Sequence, residues 1–458
     1  MFYHGNSLIE KLLDALHING DSLRVASAIL FSLGIILILG FLMTRLTKLL
    51  RLPNVTAYIV VGILIGPSVI NLIPGDFIKH TDFISDIALA FIAFSAGEFF
   101  KIKEVKKDIG KAIIITIFET VMAFALTFSL CFFAFRLGGA FSLLIASLMS
   151  ATAPTSTIMT IKQTKAKGHY VNTLLEVVAL DGVIALLLYT ISISVFTVVA
   201  GGGTLLFIDI AWPLFKTLIC LVIGVIFGFA LTFLISSKRT TNNRLIIVVA
   251  VLLLFCGICS LFGQSPLLGA IAIGMVYTNM PKADEEGKLF AQVNYFIPPV
   301  MLVFFVRGGM SLQFSIFSSS STITSIPFIV IILVTLFVRL AGKYGGAYLG
   351  SLVTAQPEET RAYLGFGLIP QASIAIALAN MGARTLEASG FEEHASFMLA
   401  VVLATSIIFE IVGPALAKLG LYLSHSYETE IDTSHPECKE EKANEEAYTN
   451  AAEQYQEQ

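Results

Sequence analysis

Apolar runs of membrane-crossing length recur along nearly the whole chain, from about Arg24 to Tyr422, with short polar breaks between them. A helix needs roughly 20 apolar residues to cross the hydrocarbon core of a bilayer. Within lipid, only helices and closed barrels satisfy their own backbone hydrogen bonds. These runs are far longer than the alternating strands of a barrel, about ten residues each, so the chain reads as an all-α polytopic membrane protein. Only 13% of its 458 residues are charged, against about 25% in a soluble domain.

About thirteen spans are expected, near 25–46, 54–73, 82–99, 112–135, 140–161, 171–199, 205–235, 245–263, 266–280, 290–312, 326–353, 362–382 and 395–423. They make up a transmembrane domain over residues 24–424. Before it, residues 1–23 include the amphipathic "SLIEKLLDALHI", which suits a short interfacial helix. After it, residues 425–458 are acidic and poor in large aliphatics, as in a disordered tail.

Loop charge gives the orientation. Alternate loops are basic, carrying Arg45, Lys48 and Arg51, then five lysines from Lys101 to Lys111, then Lys162, Lys165 and Lys167, then Lys238, Arg239 and Arg244. The intervening loops hold little beyond Lys79, Arg136 and Arg384. Basic loops stay in the cytoplasm, so the N-terminus is expected outside and the C-terminus inside, which requires an odd number of spans. The simplest location is a bacterial inner membrane. The five cysteines suggest no disulfide framework, and the CxxC of Cys256 and Cys259 lies in an apolar run that reads as packing. No catalytic nucleophile, phosphate loop or metal cluster stands out, so the chain is not read as an enzyme, and neither a cofactor nor a nucleic-acid partner is expected.

Charge inside the spans is costly and marks candidate function. The candidates are Glu119, Glu176, Asp181, Arg307, Arg339, Lys343 and Glu410. Two spans are also broken. "SATAPTST" carries Thr152, Pro154 and Ser156, and "LIPQAS" carries Pro370 and Gln371. Proline frees the carbonyl one turn back, which lipid tolerates only where protein or a water-filled cavity satisfies it. The breaks fall in spans five and twelve, the same place in two seven-span-offset halves, which points to an inverted repeat with a site at the midplane. The same offset matches span four (Glu119) with eleven (Arg339, Lys343), and six (Glu176, Asp181) with thirteen (Glu410).

Several motifs resemble the monovalent cation/proton antiporter superfamily: "RLPNVTAYIVVGILIGP", "FIAFSAGEFFKIKEVKK", "SATAPTST", "LEVVALDGVIALLLY", "FFVRGGMSL" and "RLAGKYGGAYLG". The likeness spans residues 25 to 423. It implies two crossed broken helices, alternating access, a homodimer, and Asp181 as the acid that binds either a proton or a cation (Na⁺ or K⁺, with Li⁺ as a further candidate). It also implies ligands from the Thr152 hydroxyl or carbonyl, from Ser156, and from carbonyls freed near Pro370. Glu176, about 140° around the helix from Asp181, would then pair with Arg339 or Lys343, leaving one competing acid and electroneutral exchange. Release of a proton by Lys343 would instead make exchange electrogenic. Glu119 and Glu410 are read as interhelical packing acids, and Arg307 as a side chain that can snorkel to the outer surface. The sequence departs from the superfamily at Leu180, where Asn or Asp is usual, at Ala153, where the broken-helix "A-T-D-P" has Asp, and at "PQAS", which lacks both charges of the usual "P-R-G-E"-like run. Those departures keep two alternatives in view: an antiporter fold that has lost exchange, and an anion transporter using Arg307, Arg339 and Lys343.

Overall fold

The computed structural model describes residues 7–15, 21–49, 54–74, 77, 80–81, 83–99, 109–235, 240–280, 286–312 and 323–427. Loop lysines 101–107 and almost all of the acidic tail lie outside them. Among the described residues the regular structure is helical: α1 (Leu8–Ala15), α2 (Asp21–Leu49), α3 (Asn54–Ile65), α4 (Phe83–Ala96), α5 (Ile109–Ser129), α6 (Gly139–Ser150), α7 (Pro154–Thr164) and α8 (His169–Ala200). There follow α9 (Phe207–Leu234), α10 (Thr241–Leu261), α11 (Leu267–Thr278), α12 (Glu286–Met310), α13 (Phe328–Val353), α14 (Glu358–Gly367), α15 (Ser373–Ala388) and α16 (Glu392–Leu423).

Nine stretches among these residues are long and apolar enough to cross a bilayer, counting α6 and α7 as one. Helices α3, α4 and α11 are apolar but shorter. Helix α1 forms where the amphipathic segment was expected. Its Ser7 and Glu10 make a reciprocal cap, with Ser7 N–H donating to the Glu10 carboxylate at 2.8 Å and Glu10 N–H to the Ser7 hydroxyl at 3.2 Å.

Lipid tails are as apolar as leucine, so helices gain little by hiding leucine from lipid and associate through close packing of small residues. Glycines mark these approaches. Gly62 of α3 faces the Val306 carbonyl of α12, and Gly274 of α11 faces the Phe94 carbonyl of α4. The longest such seam joins α13 to α5. Gly342, Gly346 and Gly350 recur every four residues along one face of α13 and oppose Ala123, Glu119 and Ile115 of α5. A methyl added at Gly346 would stand 2.5 Å from the Glu119 Cα. This seam sets the distance between Lys343 and Glu119, the two charges it carries across.

Arg307 does not snorkel. It is 5% exposed, and its Nη1 donates to the Ser85 hydroxyl of α4 at 3.0 Å. The neighbouring residue of α4, Asp86, takes both terminal nitrogens of Arg384 on α15, at 3.0 and 3.3 Å. A partner within reach inside the bundle removes any gain from extending to the surface.

The seam can be tested by substitution. Gly346→Val overpacks a backbone contact, which costs about 1–3 kcal/mol, and should lower the melting temperature of the purified protein in detergent. Gly345→Ala should be tolerated, because its methyl meets only the flexible end of Met122.

Candidate functional site

A broken helix leaves carbonyls exposed at the end of one half and N–H groups at the start of the next. The breaks between α6 and α7 and between α14 and α15 lie against each other and satisfy much of that demand mutually. Ala153 N–H donates to the Pro370 carbonyl at 2.8 Å. The Thr152 and Thr157 hydroxyls donate to the carbonyls of Leu368 and Gly367, at 3.1 and 2.8 Å. In the other direction, Gln371 Nε2 donates to the Leu148 carbonyl at 3.1 Å. Pro154 opens α7, where its missing N–H costs nothing.

Arg339 of α13 closes the remaining gap. Its Nε donates to the Met149 carbonyl at 2.8 Å, Nη2 to Ala151 at 2.8 Å, and Nη1 to Ile369 at 2.7 Å. The guanidinium is fully buried, 4.5 Å above the Phe409 ring. Two helix C-termini, each carrying roughly half a negative charge, therefore face one fixed positive charge.

One turn further along α13, about 6 Å, Lys343 reaches a different set of groups. Its ammonium lies 2.6 Å from Glu119 Oε2 on α5 and 2.9 Å from Asp181 Oδ1 on α8. All three side chains are fully buried. The Thr120 hydroxyl sits between the carboxylates, 2.9 Å from Asp181 Oδ1 and 3.1 Å from Glu119 Oε1. Asp181 Oδ2 accepts the Thr152 N–H of the broken helix at 2.6 Å. A separate cavity of about 170 Å³, which none of these side chains lines, runs farther along α8 between Tyr189, Thr190, Ser194, Thr217, Gln264 and Thr385 among others.

The structure thus brings together Asp181, Thr152, Lys343, Arg339, Pro154, Pro370 and Gln371 around one crossing. Four expectations need correction. Lys343 pairs with Glu119 and Asp181, and Arg339 with carbonyls, so neither is the partner of Glu176, which is half-buried on another face of α8. Glu119 is not a mere packing acid, since it shares a lysine with Asp181. Thr152 presents its N–H to Asp181, while its hydroxyl is committed to Leu368. Ser156, a full turn beyond the break, turns to Glu410, with its hydroxyl 2.9 Å from both carboxylate oxygens. The glycine spacing beside Lys343 was the available signal for Glu119, because it identifies the face of α13 that lies closest to another helix.

A buried carboxylate at the crossing of two broken helices, inside a bundle of membrane-length helices, defines a membrane transport protein of the secondary active kind. The family model for the sodium/hydrogen exchanger transmembrane region matches residues 33–418, and the chain belongs to that family, whose members are antiporters and not enzymes. The chain is 23% identical over 403 residues to an ammonium/H⁺ antiporter subunit, AmhT, of Alkalihalophilus pseudofirmus, covering 85% of this chain and 94% of that one. It is 23% identical over 398 residues to a Na⁺/H⁺ antiporter of Enterococcus hirae, covering 84% and 96%. Its fold resembles that of the sodium proton antiporter MjNhaP1 from Methanocaldococcus jannaschii at pH 8, with a TM-score of 0.68 at 16% identity, covering 87% of this chain and 99% of that one.

The role of Arg339 is checked by Arg339→Lys, which keeps the charge but cannot fork to three carbonyls. Hydrogen bonds to a charged group contribute about 1.5–3 kcal/mol each, so the substitution should markedly lower the melting temperature in detergent. An unchanged melting curve would mean the crossing does not depend on the guanidinium.

Proposed function

We propose that the protein exchanges a monovalent cation for protons by alternating access, with cation and proton competing for Asp181. The observation that carries this reading is the setting of Asp181: fully buried, between the Thr152 N–H at a helix break, the Thr120 hydroxyl and the Lys343 ammonium. A carboxylate in that position can hold a proton or a cation, and either one removes a charge that would otherwise be costly to carry through hydrocarbon. Exchange then needs no covalent chemistry. It requires only that the loaded site reorients and the empty one does not.

The groups around the crossing fit this role. Oxygens able to complete a cation's shell stand close by, on Thr120 and the break itself. The Asp86–Arg384 pair ties α4 to α15, a link that relative movement of these helices would break and remake. The anion-transport alternative fits less well, because Arg339 donates to three carbonyls and Lys343 lies between two carboxylates.

The relatives act on ammonium in one case and sodium in the other, so Na⁺, K⁺, Li⁺ and NH₄⁺ are the cations to compare. The reading includes thirteen crossings with an inverted repeat, a homodimer in the bacterial inner membrane, an outside N-terminus and a cytoplasmic acidic tail. The alternation of basic loops supports the orientation and the odd number of crossings, the placement of the two breaks supports the inverted repeat, and the homodimer and inner membrane rest on the family likeness.

The test is dissipation of a pH gradient in proteoliposomes on adding each cation. Wild type should respond to at least one, and Asp181→Asn should respond like empty liposomes. A full response from Asp181→Asn would move the exchange site elsewhere. No response from wild type to any cation would favour a fold that has lost exchange.

A further inference from the structure

The buried site contains one acid more than competition at Asp181 requires. Glu119 lies within 2.6 Å of Lys343, closer than Asp181 at 2.9 Å, and both carboxylates flank the same ammonium with Thr120 between them. We infer that Glu119 is a positioning residue that takes over the Lys343 ammonium whenever Asp181 carries its cargo. This rests on the exchange at Asp181 proposed above.

The charge count shows why it matters. Asp181, Glu119 and Lys343 together carry −1 + −1 + 1 = −1 when the acids are ionised and the lysine is charged. One proton or one monovalent cation brings the site to zero in either case. Both loaded forms are therefore neutral, and the empty form alone keeps a net charge. Arg339 does not alter this balance, because its charge faces the two helix C-termini.

Without Glu119 the count changes. Asp181 and Lys343 would already sum to zero, and the ammonium would have no second carboxylate to move to. It would stay on Asp181 and compete with the incoming cation as a built-in rival. The Gly342, Gly346 and Gly350 seam is what brings α5 near enough to supply that second carboxylate.

Two measurements in proteoliposomes test the inference, using whichever cation wild type exchanges. In the first, the initial rate of wild-type exchange is followed with and without an imposed membrane potential. A neutral site in both loaded forms should give a rate that does not respond to the potential. A rate that rises or falls with it would overturn the inference without reference to any variant. In the second, the half-saturating cation concentration is compared between Glu119→Gln and the double variant Glu119→Gln/Lys343→Gln. The single variant should need at least about tenfold more cation, given the strength of charge interactions at such distances. The double variant restores the −1 charge and should return to within about threefold of wild type. An unchanged value in the single variant, or a folded double variant that stays impaired, would overturn the inference. Absence of exchange in wild type would instead overturn the function proposed for Asp181.

Discussion

Hydrocarbon offers no water to a backbone group that loses its partner, so two broken helices can sit in the middle of this protein only where their freed groups are satisfied from within it. Ala153, Thr152, Thr157 and Gln371 send hydrogen bonds across the crossing, and Arg339 takes three of the carbonyls that remain. Everything else about the site follows from that arrangement. The crossing aims the Thr152 N–H at Asp181, fixes the level at which α8 is read, and holds α13 so that Arg339 and Lys343 face different tasks one turn apart.

The division of labour between those two cations is physically reasonable. A planar guanidinium with several fixed donors suits a set of diverging carbonyls. A compact ammonium with rotatable protons suits a place between two carboxylates. Arg339 is a structural charge in this arrangement, and under the exchange proposed above Lys343 is the movable one. With Glu119 opposite, Lys343 can leave Asp181 without being stranded in a low-dielectric interior, where an unpaired charge costs several kcal/mol.

Much of this was legible in the sequence, for identifiable reasons. Long apolar runs announce spans, and proline within them announces breaks, because both effects are local. Asp181 stood out because an acid in "LLEVVALDGVIALLLY" has no ordinary reason to be there. The partnerships were less legible. Which acid meets Lys343 depends on how far apart α5 and α13 lie and how each is rotated, and that information sits in glycines 342, 346 and 350 rather than in the charges. Glu176 was the nearer acid in sequence, but it projects from a different face of α8 than Asp181. Ser156 looked like a ligand from its place in "SATAPTST", yet a full helical turn separates it from the Thr152 N–H and carries it to Glu410. Residues 428–458 lie outside the described residues, so the acidic tail remains a reading of composition.

Competition between proton and cation at one carboxylate is tested most directly by equilibrium cation binding to the purified protein, measured over a range of pH with Asp181→Asn alongside. If the two ligands exclude each other at Asp181, the apparent dissociation constant should rise by about tenfold for each unit by which pH falls on the acidic side of the site's titration, and stay level on the alkaline side. The Asp181→Asn protein should show no such binding. A dissociation constant that ignores pH, or binding that survives loss of the Asp181 charge, would contradict competition at this residue.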